Sequence, residues 1–258
     1  MVRFQSVLLR MLILAMVSAP LHAAAAPRID FLTQQKQYKR VRDAIQARGA
    51  TLEKALAAKG LGSGMLNILF VAYKAEGTLE LYAKKPDGTR FEKLAEYSIC
   101  GASGQLGPKR KQGDLQIPEG FYRIDRYNPA SIAWLSIGMN YPNAADKIKS
   151  RAANLGGDIF IHGTCISWGC LAIGDDAIKD VYLYAVYARA SGQKDIPVYI
   201  FPFRMTGENM RKYAALYKER PELQPFWKNL KKGYDLFVAD DRALTVRVDG
   251  NGDYLFGP

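Results

Sequence analysis

From Leu66 to Phe203 the chain is dominated by short runs rich in aliphatic and aromatic residues, bounded by turn residues. That pattern demands a sheet. Leu66–Tyr73, Leu79–Ala83 and Phe91–Cys100 read as strands, with Pro86-Asp87-Gly88 as a turn between two of them. Phe121–Tyr127, Gly157–His162 and Pro197–Phe203 read the same way. Between the last two, Asp176–Ala190 changes period: Ile178, Val181, Tyr182, Ala185 and Val186 recur at helical spacing, with Asp175 or Asp176 as the expected cap. The fold class is therefore α+β with a mainly antiparallel sheet core.

Helical segments flank the sheet. Residues 36–59 read as two helices, interrupted at Gly49, with Thr51 capping the second and Gly60 ending it. Thr206–Lys218 and Pro221–Lys231 read as C-terminal helices, and Ala243–Phe256 as a closing hairpin. The Asp249–Asp253 stretch lacks the spacing and closing Glu of a calcium loop and reads as the hairpin turn. Gly101–Pro118 is a polar, Gly- and Lys-rich connection long enough to be a functional loop. No linker separates two independent domains. The expected division is 1–26 as a signal peptide, 27–64 as an N-terminal helical extension, 65–205 as the catalytic unit and 206–258 as a C-terminal extension.

The signal reading rests on Arg3 and Arg10, the short apolar run Met11–Val17, and small residues at Ala23–Ala26. The run is too short for a comfortable membrane span, so the expectation is an exported, periplasmic protein with no stable membrane insertion. Of the net charge of +11, Arg3 and Arg10 leave with the signal, which gives +9 for the mature chain. A basic, exported protein suits an anionic envelope polymer or lipid and not nucleic acid.

Export also isolates the chemistry. His22 lies in the signal, so His162 becomes the single histidine, while Cys100, Cys165 and Cys170 all remain. A thiol becomes a good nucleophile only as a thiolate, and a neighbouring imidazole that takes its proton supplies this. The strand Asp158–His162 ends at Gly163, and eight residues after His162 stands Cys170, preceded by Gly169. A strand, a short loop and a return bring the two together, and backbone amides around Gly169 and Cys170 are candidates for an oxyanion hole. Three other arrangements compete: a core histidine, a Cys₃His zinc site, and a Cys165–Cys170 disulfide in an oxidising compartment. A Cys100–Cys165 bridge with Cys170 free also fits the catalytic reading, and the spacing does not choose among these.

His162-Gly163 followed by Ser167-Trp168-Gly169-Cys170 resembles the signature of L,D-transpeptidase catalytic domains, the YkuD family, and is most similar to its YafK-like murein transpeptidase/amidase branch. Ser103–Lys109, Gly113-Asp114, Pro118–Tyr122, Tyr141–Asn143 and Phe201–Arg204 carry the likeness further, over about residues 65–235. The resemblance implies a β-sandwich-like catalytic domain that remodels peptidoglycan through a Cys170 thioester. It implies His162 as base, Gly163 carbonyl or Thr164 as the group orienting the imidazole, and Gly169 with Cys170 as oxyanion donors. No metal or organic cofactor is implied. The expected partners are meso-diaminopimelate stem peptides and a wall-linked lipoprotein, the acyl-enzyme going to an amine by transpeptidation or to water by hydrolysis. A non-catalytic envelope-binding module is the reading from another class. Two positions depart from the family: Trp168 where a histidine is usual, and Ala172 where an arginine helps hold the substrate carboxylate. Lys109, Arg110 and Arg204 are the expected replacements for that arginine, with Tyr141, Ser167 and Trp168 as further substrate contacts.

Overall fold

The computed structural model describes residues 30–257; the signal-peptide reading lies outside them. In chain order the elements are α1 (Phe31–Gln35), α2 (Lys39–Ala58), β1 (Asn67–Tyr73), β2 (Thr78–Lys84), β3 (Glu92–Ser98), β4 (Gly120–Asn128), β5 (Ser136–Met139) and α3 (Ala144–Lys149). These are followed by β6 (Phe160–His162), β7 (Leu171–Ala172), α4 (Asp175–Ala190), β8 (Pro197–Phe201), α5 (Gly207–Leu216), α6 (Leu223–Asp240), β9 (Thr245–Val248) and β10 (Tyr254–Gly257).

Eight strands form one sheet in the order β3-β2-β1-β8-β4-β5-β6-β7. Only the β1–β8 and β6–β7 pairs are parallel, so the sheet is mainly antiparallel. Strand alternation explains how both of its faces are covered. In β1, Ile68, Phe70 and Ala72 join a core with α2 and α4, while Leu69, Val71 and Tyr73 join a second core with α6. A strand apolar on both sides must be sandwiched, and β1 is buried almost throughout. Burying the side chain of one such residue is worth about 1.5–3 kcal/mol.

A buried ion pair, Lys74 with Glu119, anchors the segment from Gly107 to Glu119. Lys74 Nζ donates to the carbonyls of Gly107 and Ile117 and to Glu119 Oε1 at 2.9 Å, and Trp227 Nε1 donates to Glu119 Oε2. Every donor of the ammonium has a partner, which is what makes a fully buried charge tolerable.

Several local expectations need correction. The helix over 36–59 is not broken at Gly49: α2 runs continuously from Lys39 to Ala58, with Thr51 inside it. Burial of Val41, Ala44, Leu52 and Leu56 on one face outweighs the weak helix propensity of one glycine. Helix α6 continues nine residues past Lys231, because Tyr234 and Phe237 still face the second core. The N-cap of α4 is Gly174, not an aspartate; Asp175 instead accepts the amide of Thr164 at 2.8 Å. Strand β5 and helix α3 were not foreseen. The latter opens on a capping box, in which Asn143 and Asp146 exchange side chain-to-backbone hydrogen bonds.

Candidate active site

The chain brings His162 to the end of β6 and Cys170 to the residue before β7. These strands run parallel, with Ile161 opposite Leu171 and His162 opposite Ala172. Cys170 lies two positions before Ala172, so the strand period turns it to the same face as His162. Both line one cleft of about 610 Å³, together with Ser136, Phe160, Thr164 and Trp168.

Gly163 is forced by its surroundings. A Cβ there would lie 2.5 Å from the Ala133 carbonyl oxygen and 2.6 Å from Asp175 Oδ1. With no side chain at 163, the strand end packs against α4 and its carbonyl turns back toward the imidazole. The buried His162 ring donates from Nδ1 to the Gly163 carbonyl at 2.5 Å. A carbonyl can only accept, so Nδ1 carries the proton and Nε2 of the neutral ring is left as an acceptor. Of the two expected orienting groups, it is the Gly163 carbonyl that bonds to the imidazole. Thr164, held at φ 57°, lends its amide to Asp175 and lines the cleft.

The thiol rests away from the ring. Cys170 Sγ donates to the Asp158 carbonyl at 3.6 Å and accepts from the Phe160 amide at 3.4 Å. No hydrogen bond joins it to the imidazole among the described residues. Burial pushes the thiol above its usual range, Asp158 adds to the rise, and the Phe160 amide, Lys109 and Arg126 oppose it. A resting thiol of this kind is protonated near neutral pH.

The loop ahead of the thiol is tightly fixed. Cys100 and Cys165 form a disulfide across 65 residues, leaving Cys170 as the free cysteine. This overturns both the Cys165–Cys170 bridge and the Cys₃His arrangement. Gly169 takes φ 103°, and a Cβ there would lie 2.9 Å from the Gln116 carbonyl. The Gly169 amide donates to Ser103 Oγ at 2.7 Å and the Cys170 amide to Ser167 Oγ at 2.9 Å. Both expected oxyanion donors are therefore engaged with hydroxyls at rest. Ser103 in turn donates to the Leu115 carbonyl and Ser167 to the Cys170 carbonyl.

The expected substrate contacts divide sharply. Trp168 is 80% exposed on the cleft rim, with Ile132 and Ile166 also exposed there. Lys109 is buried against Asp114 at 2.7 Å, and Tyr141 is buried with its hydroxyl donating to the carbonyls of Lys109 and Leu155. Arg110 pairs with Asp146 at 3.0 Å and stacks over Phe226, beside α6. Arg204 pairs with Glu80 at 2.8 Å and stacks over Tyr73. Lys109, Tyr141, Arg110 and Arg204 do not line the cleft, so a free cation for a carboxylate is not found where it was expected. Each of these charges already has a carboxylate partner, which sequence does not reveal. Residues that do line the cleft and were not singled out include Ser136, Asp158 and Phe160. Their signal is strand register, a property of pairing between distant segments.

Among the described residues no group of three or more His, Cys, Asp or Glu is arranged to hold a metal ion, and no helix is long and apolar enough to cross a membrane.

Residues 71–200 match the YkuD family, described as the L,D-transpeptidase catalytic domain. The curated "Putative L,D-transpeptidase YafK" of Escherichia coli K12 is 38% identical over 185 residues, 71% of this chain and 71% of that protein. Among solved structures, the helical cell shape determining protein Pgp2 of Campylobacter jejuni aligns at 18% identity and a TM-score of 0.42, covering 71% of this chain and 73% of that one. Bd1075 of Bdellovibrio bacteriovorus aligns at 22% identity and a TM-score of 0.39, covering 54% and 48%.

Proposed function

The chain belongs to the L,D-transpeptidase catalytic-domain family, with a peptidoglycan-remodelling role of that type, and from that premise we propose that it is a cysteine acyltransferase of the periplasm. Its substrates are meso-diaminopimelate stem peptides. His162 Nε2 takes the thiol proton once Cys170 rotates off the Asp158 carbonyl. The thiolate adds to the carbonyl at the L-centre of diaminopimelate. The amine of the following residue then leaves with that proton, and a thioester on Cys170 remains. An amine acceptor closes the cycle as transpeptidation; water closes it as hydrolysis, including release of a wall-linked lipoprotein. Gly169 and Cys170 amides, freed from Ser103 and Ser167, stabilise the tetrahedral oxyanion. Residues 65–205 form the catalytic unit, flanked by helical extensions at 27–64 and 206–258, after cleavage of a signal within 1–26.

The observation that carries this reading is the contact of His162 Nδ1 with the Gly163 carbonyl: a carbonyl can only accept, so the contact leaves Nε2 as a base in the cleft that holds the free thiol. The test is mass analysis of digested sacculi after incubation with the mature protein, with Cys170→Ala as control. New 3-3 cross-links identify transpeptidation, and released peptides or lipoprotein identify hydrolysis. Sacculi unchanged relative to the control would refute an enzyme acting on the wall.

A further inference from the structure

A side chain that the reading above leaves unused lies in the same sheet row as the thiol. Arg126 of β4 pairs in register with Gly138 of β5, and Gly138 pairs with Phe160 of β6. Extending the β6–β7 register back one residue sets Phe160 beside Cys170, whose Sγ accepts the Phe160 amide. Arg126, Gly138, Phe160 and Cys170 thus form one row across the sheet, on the face that carries His162.

Gly138 opens this row. A Cβ there would lie 2.3 Å from Arg126 Nε and 2.4 Å from its Cγ, so the arginine side chain lies flat across β5. Its Cζ sits 4.7 Å from the centre of the Phe160 ring, a cleft-lining residue. Its ion pairs are loose: 3.4 Å to Asp158, itself 83% exposed, and 3.7 Å to Asp125. The buried Nε makes no hydrogen bond among the described residues. Lys109, Arg110 and Arg204 instead hold their carboxylates at 2.7, 3.0 and 2.8 Å. Arg126 is not itself among the residues that line the cleft, but it lies against two that are, Phe160 and Asp158, with donors to spare, and guanidinium geometry favours a bidentate carboxylate.

We propose that Arg126 is the carboxylate anchor of this cleft, taking a free carboxylate of the bound peptide in place of Asp158 and so setting preference for substrates that carry one. The inference rests on the stem-peptide reading above. Two carboxylates flank the scissile amide of such a peptide: that of the far centre of diaminopimelate and that of the C-terminal residue.

The test is calorimetric binding to the full mature chain carrying Cys170→Ala. The probes are a stem tetrapeptide with both carboxylates free and two versions amidated at one or the other. One amidation should weaken binding about tenfold, the effect of losing a charge-assisted hydrogen bond, and so identify the carboxylate bound. Adding Arg126→Met should abolish that preference, while Arg126→Lys should keep part of it. Asp158→Asn removes the competing carboxylate at a φ of 55° that asparagine tolerates, and should tighten binding of the free-acid peptide. A preference that survives Arg126→Met, or no binding by any probe, overturns the anchor. Arg126-dependent preference without acylation of Cys170 in the wild-type protein would refute the enzymatic reading and leave the anchor standing.

Discussion

Replacing Gly163 by alanine tests the link between packing and chemistry at one atom. The added Cβ would sit 2.5 Å from a backbone oxygen of Ala133 and 2.6 Å from Asp175 Oδ1, with Ile178 Cγ2 at 3.2 Å. Ordinary contact begins near 3.4 Å, so the strand end must move by close to an ångström. Neither neighbour yields freely: Ala133 offers backbone, and Asp175 Oδ1 accepts the Thr164 amide. Overpacking of this kind costs about 1–3 kcal/mol, which in a chain of this size lowers Tm by roughly 2–12 °C. The same movement displaces the carbonyl that accepts His162 Nδ1–H. The ring then loses its tautomer preference, and the proton transfer that depends on Nε2 should fall by about 10²–10⁴. His162 is the one histidine in residues 27–258, so ¹⁵N-histidine labelling of a chain of those residues gives a single imidazole to follow. The wild-type spectrum should show the Nδ1–H tautomer and Gly163→Ala a mixture, with activity lost at temperatures far below Tm. Wild-type activity and an unchanged tautomer in Gly163→Ala would refute the assignment of that carbonyl as the orienting group.

Three further outcomes follow from the same structure. Gly49→Ala should stabilise by about 0.5–1 kcal/mol, because Gly49 lies inside α2 and its Cβ would meet only Ile45 at an ordinary 3.5 Å; a lower Tm would contradict it. Lys74→Met should cost about 3–5 kcal/mol by leaving Glu119 buried without its ion-pair partner, seen in denaturant unfolding; a cost below about 1 kcal/mol would contradict it. The Cys170 thiol, pushed upward by burial and by Asp158, should be alkylated by iodoacetamide at a rate that keeps rising through the ordinary thiol range. Asp158→Asn should shift that profile to lower pH and Arg126→Met to higher pH, and shifts of the opposite sign would contradict the electrostatics.

How much of this was legible in the sequence depends on range. Strands β1, β2 and β4 and helix α4 were readable because their apolar period is local and strong. That His162 and Cys170 meet in one cleft was legible because a histidine at a strand end stands eight residues before a Gly-Cys turn. Gly49 misled because local propensity is weak beside the burial of Val41 and Leu52 on the same helix. Strand β5 was missed because it is four residues long and contains Gly138; α3 had a readable cue in Asn143 and Asp146. The expected substrate cations lie outside the cleft for a different reason. Arg110 and Arg204 look free in sequence, yet Asp146 and Glu80 hold them across 36 and 124 residues. Arg126 gave no signal at all, since its place depends on Gly138 and Phe160 meeting it in register.

The central claim is that Cys170, served by His162, becomes the acyl carrier. Intact-mass measurement after brief incubation with a stem tetrapeptide tests it most directly. A thioester adduct equal to the peptide less its C-terminal residue should appear on the wild-type chain, map to Cys170, and disappear in Cys170→Ala. It should form far more slowly in His162→Ala. An adduct at any other residue, or one formed equally fast without His162, would contradict the account.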